Sequence, residues 1–168
     1  VFTNRTDAID SAGRPPHSIE AVVQGGDNEE IAAMIWKSIA GGIDTHGSTS
    51  VVVIDSQIVP QTIKFNRPTE RPVWLKCVVH EHPEIDLAGD ALQVIANDLL
   101  AQGQAHAVGQ DVILQKLGAY ILQNVTGISY LELTGSTDGI IYSTTNIAIG
   151  VRELATFNSA RIEVTVAP

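Results

Sequence analysis

The sequence predicts an α+β fold in two small lobes, each a mixed β-sheet with one or two helices packed on one face. Three observations carry this. Val73, Leu75, Cys77 and Val79 alternate with Trp74, Lys76, Val78 and His80, the period of a strand buried on one side. Ile31, Ile35 and Ile39 recur every four residues, which places them on one face of a helix. Between these patterns, Asn66-Arg-Pro-Thr-Glu-Arg-Pro breaks both periods with Pro68 and Pro72 and reads as a linker. The expected division is an irregular arm over 1–16, a first lobe over 17–70 and a second over 71–168.

The elements follow in order. Residues 1–16 are polar and end in Arg14-Pro15-Pro16, where paired prolines favour extended backbone. Ser18 to Val23 reads as a strand, with Ile19, Ala21 and Val23 on one side and Glu20 on the other. Gly25-Gly26 turns the chain. Asp27 stands at an N-cap with Glu30 three residues on, so a helix is expected from about Asn28 to Ala40, ended by Gly41-Gly42. Ser50–Ile54 and Thr62–Phe65 form a hairpin around Asp55-Ser-Gln, and Pro60 suits a bulge or edge. In the second lobe the spacing predicts a strand over 73–80, a helix over 86–101 and a second helix from Asp111. Strands are expected over 129–133 and 160–166, with a short one at 147–151.

Composition narrows the function. Of 168 residues, 44% are hydrophobic and 17% charged, enough apolar material for a core and too little charge for a disordered chain. Only 5% are aromatic, so aliphatic side chains must fill the interior. The net charge of −9 repels nucleic-acid phosphate, and no basic patch offsets it, so no nucleic-acid partner is expected. One cysteine, Cys77, excludes an intramolecular disulfide and a cysteine zinc cage. No apolar run approaches the ~18 residues of a membrane span, and no membrane partner is expected.

A search for chemistry finds little. The chain has no P-loop, no Gly-x-Gly-x-x-Gly after a strand and no nucleophile elbow. Gly47-Ser-Thr-Ser and Gly135-Ser-Thr-Asp-Gly read as turns. The best candidate site is His80-Glu81-His82 with Glu84 and Asp86. Histidines at i and i+2 of a strand face one way, so His80, His82 and Glu84 are a candidate metal-ligand set; the competing reading is a polar strand exit before Pro83. His17, His46 and His106 read as isolated surface histidines in loops. Cys77 reads as a buried small hydrophobe. Glu29-Glu30, a possible carboxylate pair, is already explained by the first helical turn. Asn4-Arg-Thr and Asn124-Val-Thr match the glycosylation sequon. Trp36 and Trp74 either finish the core or anchor a partner. Strand edges such as Gln61–Phe65 and Ala160–Val166 offer pairing to a neighbouring subunit. No catalytic, cofactor-binding or metal residue is assigned, and no cofactor or small-molecule substrate is expected.

One ordered series of motifs stands out. It comprises Ser18-Ile19-Glu20-Ala21-Val22-Val23, Gly25-Gly26-Asp27, Ile31-Ala32-Ala33-Met34-Ile35, Gly47-Ser48-Thr49-Ser50-Val51 and Ile63-Lys64-Phe65-Asn66-Arg67-Pro68-Thr69. Arg71-Pro72-Val73 follows, then more loosely Asn146-Ile147-Ala148-Ile149-Gly150 and Glu153-Leu154-Ala155. In this order the series resembles the baseplate J-like family of contractile-tailed bacteriophages. The resemblance implies a virion structural protein, a wedge subunit of the tail baseplate, made in the bacterial cytoplasm and acting through protein–protein contacts in tail assembly and contraction. Its implied partners are other baseplate wedge and tail proteins, with self-association in the assembled baseplate. It implies no enzymatic activity and no catalytic residues. Family members are longer, and the chain opens Val1-Phe2, so a C-terminal portion is expected. Two alternatives come from other classes: a metal-dependent enzyme using His80, His82 and Glu84, and a glycan- or receptor-binding tail module, which would need an exposed platform from the 8 aromatic residues.

Overall fold

The computed structural model describes all 168 residues. The fold is α+β, with three helices and several small mixed sheets. Its two compact units are Val1–Pro68 and Thr69–Pro168.

In the first unit, β1 (Phe2–Asn4) runs antiparallel to β2 (Ser18–Glu20), and β3 (Asp44–His46) runs parallel to β2 on its other side. The expected irregular arm over 1–16 is therefore corrected: it begins as a strand and returns as a closed loop. The cause is Asn4, a buried residue whose Nδ2 donates to the carbonyls of Ala8, Arg14 and Pro15 at 2.8–2.9 Å. This also occupies the amide of the first sequon. The facing of β2 is corrected too. Ser18 and Glu20 are buried and Ile19 only half-buried, because the Glu20 carboxylate is met inside by Arg14 and Asn66.

Helix α1 (Asn28–Ser38) starts where its cap predicts, with Asp27 Oδ1 accepting from Glu29 N at 3.0 Å and Glu30 N at 3.2 Å. Before it, Gly25 and Gly26 take φ of 64° and 76°, backbone that favours glycine. Arg67 closes this turn: Nη1 donates to Val23 O and Gly25 O, and Nη2 to Gly26 O and Asn28 Oδ1. The antiparallel hairpin of β4 (Thr49–Ile54) and β5 (Pro60–Phe65) packs against α1. Ala32, Ala21, Ile63 and Phe65 are the centre, with Ile31, Ile35, Ile39 and Trp36 packed around them. Trp36 thus belongs to this core.

In the second unit, β7 (Trp74–Glu81) is central. It pairs antiparallel with β8 (Ile128–Ser136) and parallel with β10 (Ile162–Val166). Val73, Leu75, Cys77 and Val79 are all buried, as their period requires. Helices α2 (Ala91–Gln104) and α3 (Leu114–Asn124) cover that face, placing Ile95, Leu99, Leu117 and Ile121 in the same core. Helix α2 begins five residues beyond its expected start. Helix α3 begins three beyond Asp111, whose Oδ1 instead accepts from Ile149 N at 2.8 Å while Asn146 Oδ1 accepts from Leu114 N. The expected linker at 66–72 is also corrected. Thr69–Pro72 is a strand, β6, paired parallel with β9 (Glu153–Thr156). The expected strand over 147–151 reduces to a single bridge between Val112 and Ile147.

Candidate functional site

The histidine cluster of β7 does not close into a site. His80 stacks on Tyr130 with ring centroids 3.8 Å apart, and its Nε2 lies 3.2 Å from Glu132 Oε1. The ladder shifts register between His80 and Glu81. Beyond the shift, His82 Nδ1 accepts from Glu84 N at 3.2 Å. His80 therefore engages the neighbouring strand and His82 a local turn. No group of three or more His, Cys, Asp and Glu side chains in the chain is arranged to hold a metal ion.

The remaining candidates take structural positions. Cys77 is buried in the second core, and burial pushes its thiol up to about 11, far from a nucleophile's range. Ser48 N and Oγ both donate to Asn66 Oδ1, 18 residues away, and Ser136 Oγ donates to Asp138 Oδ1 within its own turn, so both serine loops are held by structural hydrogen bonds. His17 Nε2 lies 2.8 Å from Asp7 Oδ1 on the surface. Two histidines depart from the surface reading. His46 lies half-buried in β3. His106 is buried at the end of α2, its Nδ1 3.0 Å from the carbonyl oxygens of Gln102 and Gly103, its ring against Phe157. Trp74 sits on the sheet face opposite the core, beside Gly139 and under the Arg161 guanidinium, 5.0 Å from its ring.

What the surface does offer is apolar side chains on fixed loops, which the sequence reading missed. In the first unit, the hairpin tip presents Ile58, 84% exposed, at φ 61°, a conformation β-branched residues rarely adopt. Asp55 fixes that tip: Oδ1 accepts from Gln57 N and Val59 N, and Oδ2 from Gln61 Nε2. In the second unit, Ile140 and Ile141 are 81% and 74% exposed. Asp138 fixes them in the same way, its Oδ1 accepting from Ile140 N at 2.8 Å and Ile141 N at 3.0 Å. The visible signal was an Asp two or three residues before an apolar residue in a predicted loop, a pattern that forms Asx turns.

These bonds stabilise the charged carboxylates. The two backbone N–H groups and the Ser136 hydroxyl hold Asp138 at about 2, below its ordinary 3.8. Its folded value is depressed, so its contribution is fully present above about pH 4 and is lost as pH falls toward 2. Thermal melts from pH 6 to pH 2 should show the native chain more stable than Asp138→Asn above pH 4, with the gap closing below it.

No helix is long and apolar enough to cross a membrane. Neither a protein-family model nor a curated protein matches the chain.

Proposed function

We propose that this chain is a structural subunit of a contractile phage tail baseplate, a wedge component working through contacts with other baseplate and tail proteins and with copies of itself. The resemblance of the ordered series from Ser18 to Thr69 to the baseplate J-like family supports this reading. The hydrogen bonding of that series supports a structural role for it: Asp27 caps α1, Arg67 closes the Gly25-Gly26 turn, and Asn66 joins Glu20 and Ser48. These polar residues are engaged in holding the fold.

The observation that carries the assembly reading is the display of Ile140 and Ile141 on a loop already ordered by Asp138. Large apolar side chains gain nothing from water, and a pre-ordered loop loses little entropy on docking. A few well-packed side chains carry most of the energy of a protein interface. The test is the double variant Ile140→Asp, Ile141→Asp in the virus that encodes the chain. Stability should change little, because both side chains are exposed. Loss of two anchors at about 2 kcal/mol each should weaken docking roughly a thousandfold and leave the variant outside tail particles. Incorporation equal to that of the native chain would sink the reading.

A further inference from the structure

We propose that the open edge of β8, with the groove between β8 and α3, receives an extended strand from a different protein, its alternate residues apolar and a Lys or Arg beside Glu132. On its outer edge β8 already pairs once: Gly135 exchanges both backbone hydrogen bonds with Ser143, at 2.9 and 3.0 Å. Outward-pointing pairs recur at every second residue of an antiparallel strand, so the N–H and C=O of Leu133 and Leu131 face the same way. The backbone pairing stops at Gly135, leaving that edge open beside Leu133 and Leu131. Such an edge is a template for one more strand.

Next to it lies an open groove of about 520 Å³, its apolar walls formed by Leu114, Gly118, Ala119 and Leu122 of α3 and by Leu131 and Leu133 of β8, with Gln115, Glu132, Thr134 and Thr144 also bordering it. Gly118 is the informative residue. Glycine weakens a helix interior relative to alanine. A Cβ there would meet nothing within 4 Å, so the chain's own packing does not require glycine. The space it leaves belongs to the groove. An edge strand facing a helix across a largely apolar trough is the geometry of strand addition, in which main-chain bonds give affinity and alternate side chains give specificity.

Charge selects the occupant. Glu132 lies on the other face of β8, 60% exposed and 3.2 Å from His80. A strand added beside it is favoured by a cation at the neighbouring position and disfavoured by an acid. A second β8 paired antiparallel about Glu132 would set two glutamates together, on a chain already carrying −9. The occupant is therefore a basic, alternating strand of another protein. This deepens the assembly reading and rests on it only in that the partner is a protein; incorporation into tails tests that reading, and a peptide tests the groove.

The probe is fluorescein-labelled, amidated Thr-Val-Lys-Val-Lys-Val-Thr, titrated with the full chain and followed by anisotropy. Saturable binding is expected in the range of about 10–100 µM. Gly118→Leu should fill the groove and weaken binding at least about tenfold without lowering the thermal midpoint. Glu132→Lys should weaken it as well, and the peptide with Glu for both Lys should restore it. Two N-methylated peptides, blocked at odd or at even amides, should separate, one losing binding and one keeping it. No saturation up to about 1 mM overturns the proposal. So do equal binding by Gly118→Leu, equal binding by both N-methylated peptides, or a dimer of the chain that Gly118→Leu dissociates.

Discussion

Replacing Gly47 with alanine is expected to cost the first unit about 3 kcal/mol or more, enough to leave most of it unfolded in mild denaturant. A Cβ at this position would lie 2.2 Å from Phe65 C, 2.3 Å from its O and 2.5 Å from its Cα. All three atoms are backbone, so no rotamer change relieves the overlap. Phe65 is fully buried at the end of β5, and Thr49, two residues after Gly47, is its ladder partner. Movement must therefore open the hairpin, the packing of α1 on it, or the bonds from Ser48 to Asn66. Urea unfolding followed through Trp36 in a Trp74→Phe background reports this unit, and the midpoint should fall. Gly41→Ala is the control, since its Cβ meets nothing within 4 Å and its midpoint should hold. An unshifted midpoint for Gly47→Ala would contradict the packing described.

The second large effect is expected at Glu20. Its carboxylate is buried, with Oε2 3.5 Å from Arg14 Nη1 and Oε1 accepting from Asn66 Nδ2 at 2.9 Å. Arg14 is in turn held by Asp10, whose Oδ2 accepts from its Nε at 2.7 Å. This network ties the loop over 5–17 to β2 and to the end of β5. Glu20→Ala leaves a largely buried guanidinium short of a partner and an amide without its acceptor, a loss of about 3 kcal/mol. Glu20→Gln keeps the shape and one acceptor oxygen and should cost less. Hydrogen exchange should show the order: β1 amides lose protection first in Glu20→Ala, before those of α1. Uniform protection across both variants would contradict the role given to the network.

The contrast between these two sites shows where the sequence was readable. β7 was legible because four apolar residues alternate without exception and all four are buried. α1 was legible because Asp27 caps it with Glu30 three residues on, followed by isoleucines spaced every four residues. Glu20 was misread because a charge in an alternating strand normally marks the wet face, and its countercharge Arg14 is brought round by a loop fixed through Asn4. β6 was hidden by its composition, Thr-Glu-Arg-Pro, and by a partner strand that begins at Glu153. Pairing that distant leaves no local period. The expected start of α2 fell five residues early because 86–90 is irregular chain ending in a turn, Ala91 N donating to Ala88 O, and Asp90 before the helix makes no side-chain capping bond to mark the true start. The apolar loops escaped notice for a different reason: exposure is a property of the folded surface, and an apolar pair inside a loop rich in Ser, Thr and Gly does not show in sequence whether it turns inward or outward.

The most direct measurement is quantitative mass spectrometry of contractile tail particles purified from the cells whose genome carries the coding sequence of this chain. The proposed role predicts peptides spanning Val1–Pro168 in the particles, in a constant ratio to the tail tube protein through successive purification steps. Tails that are complete and contractile but lack these peptides, while the chain accumulates in the producing cells, would contradict it.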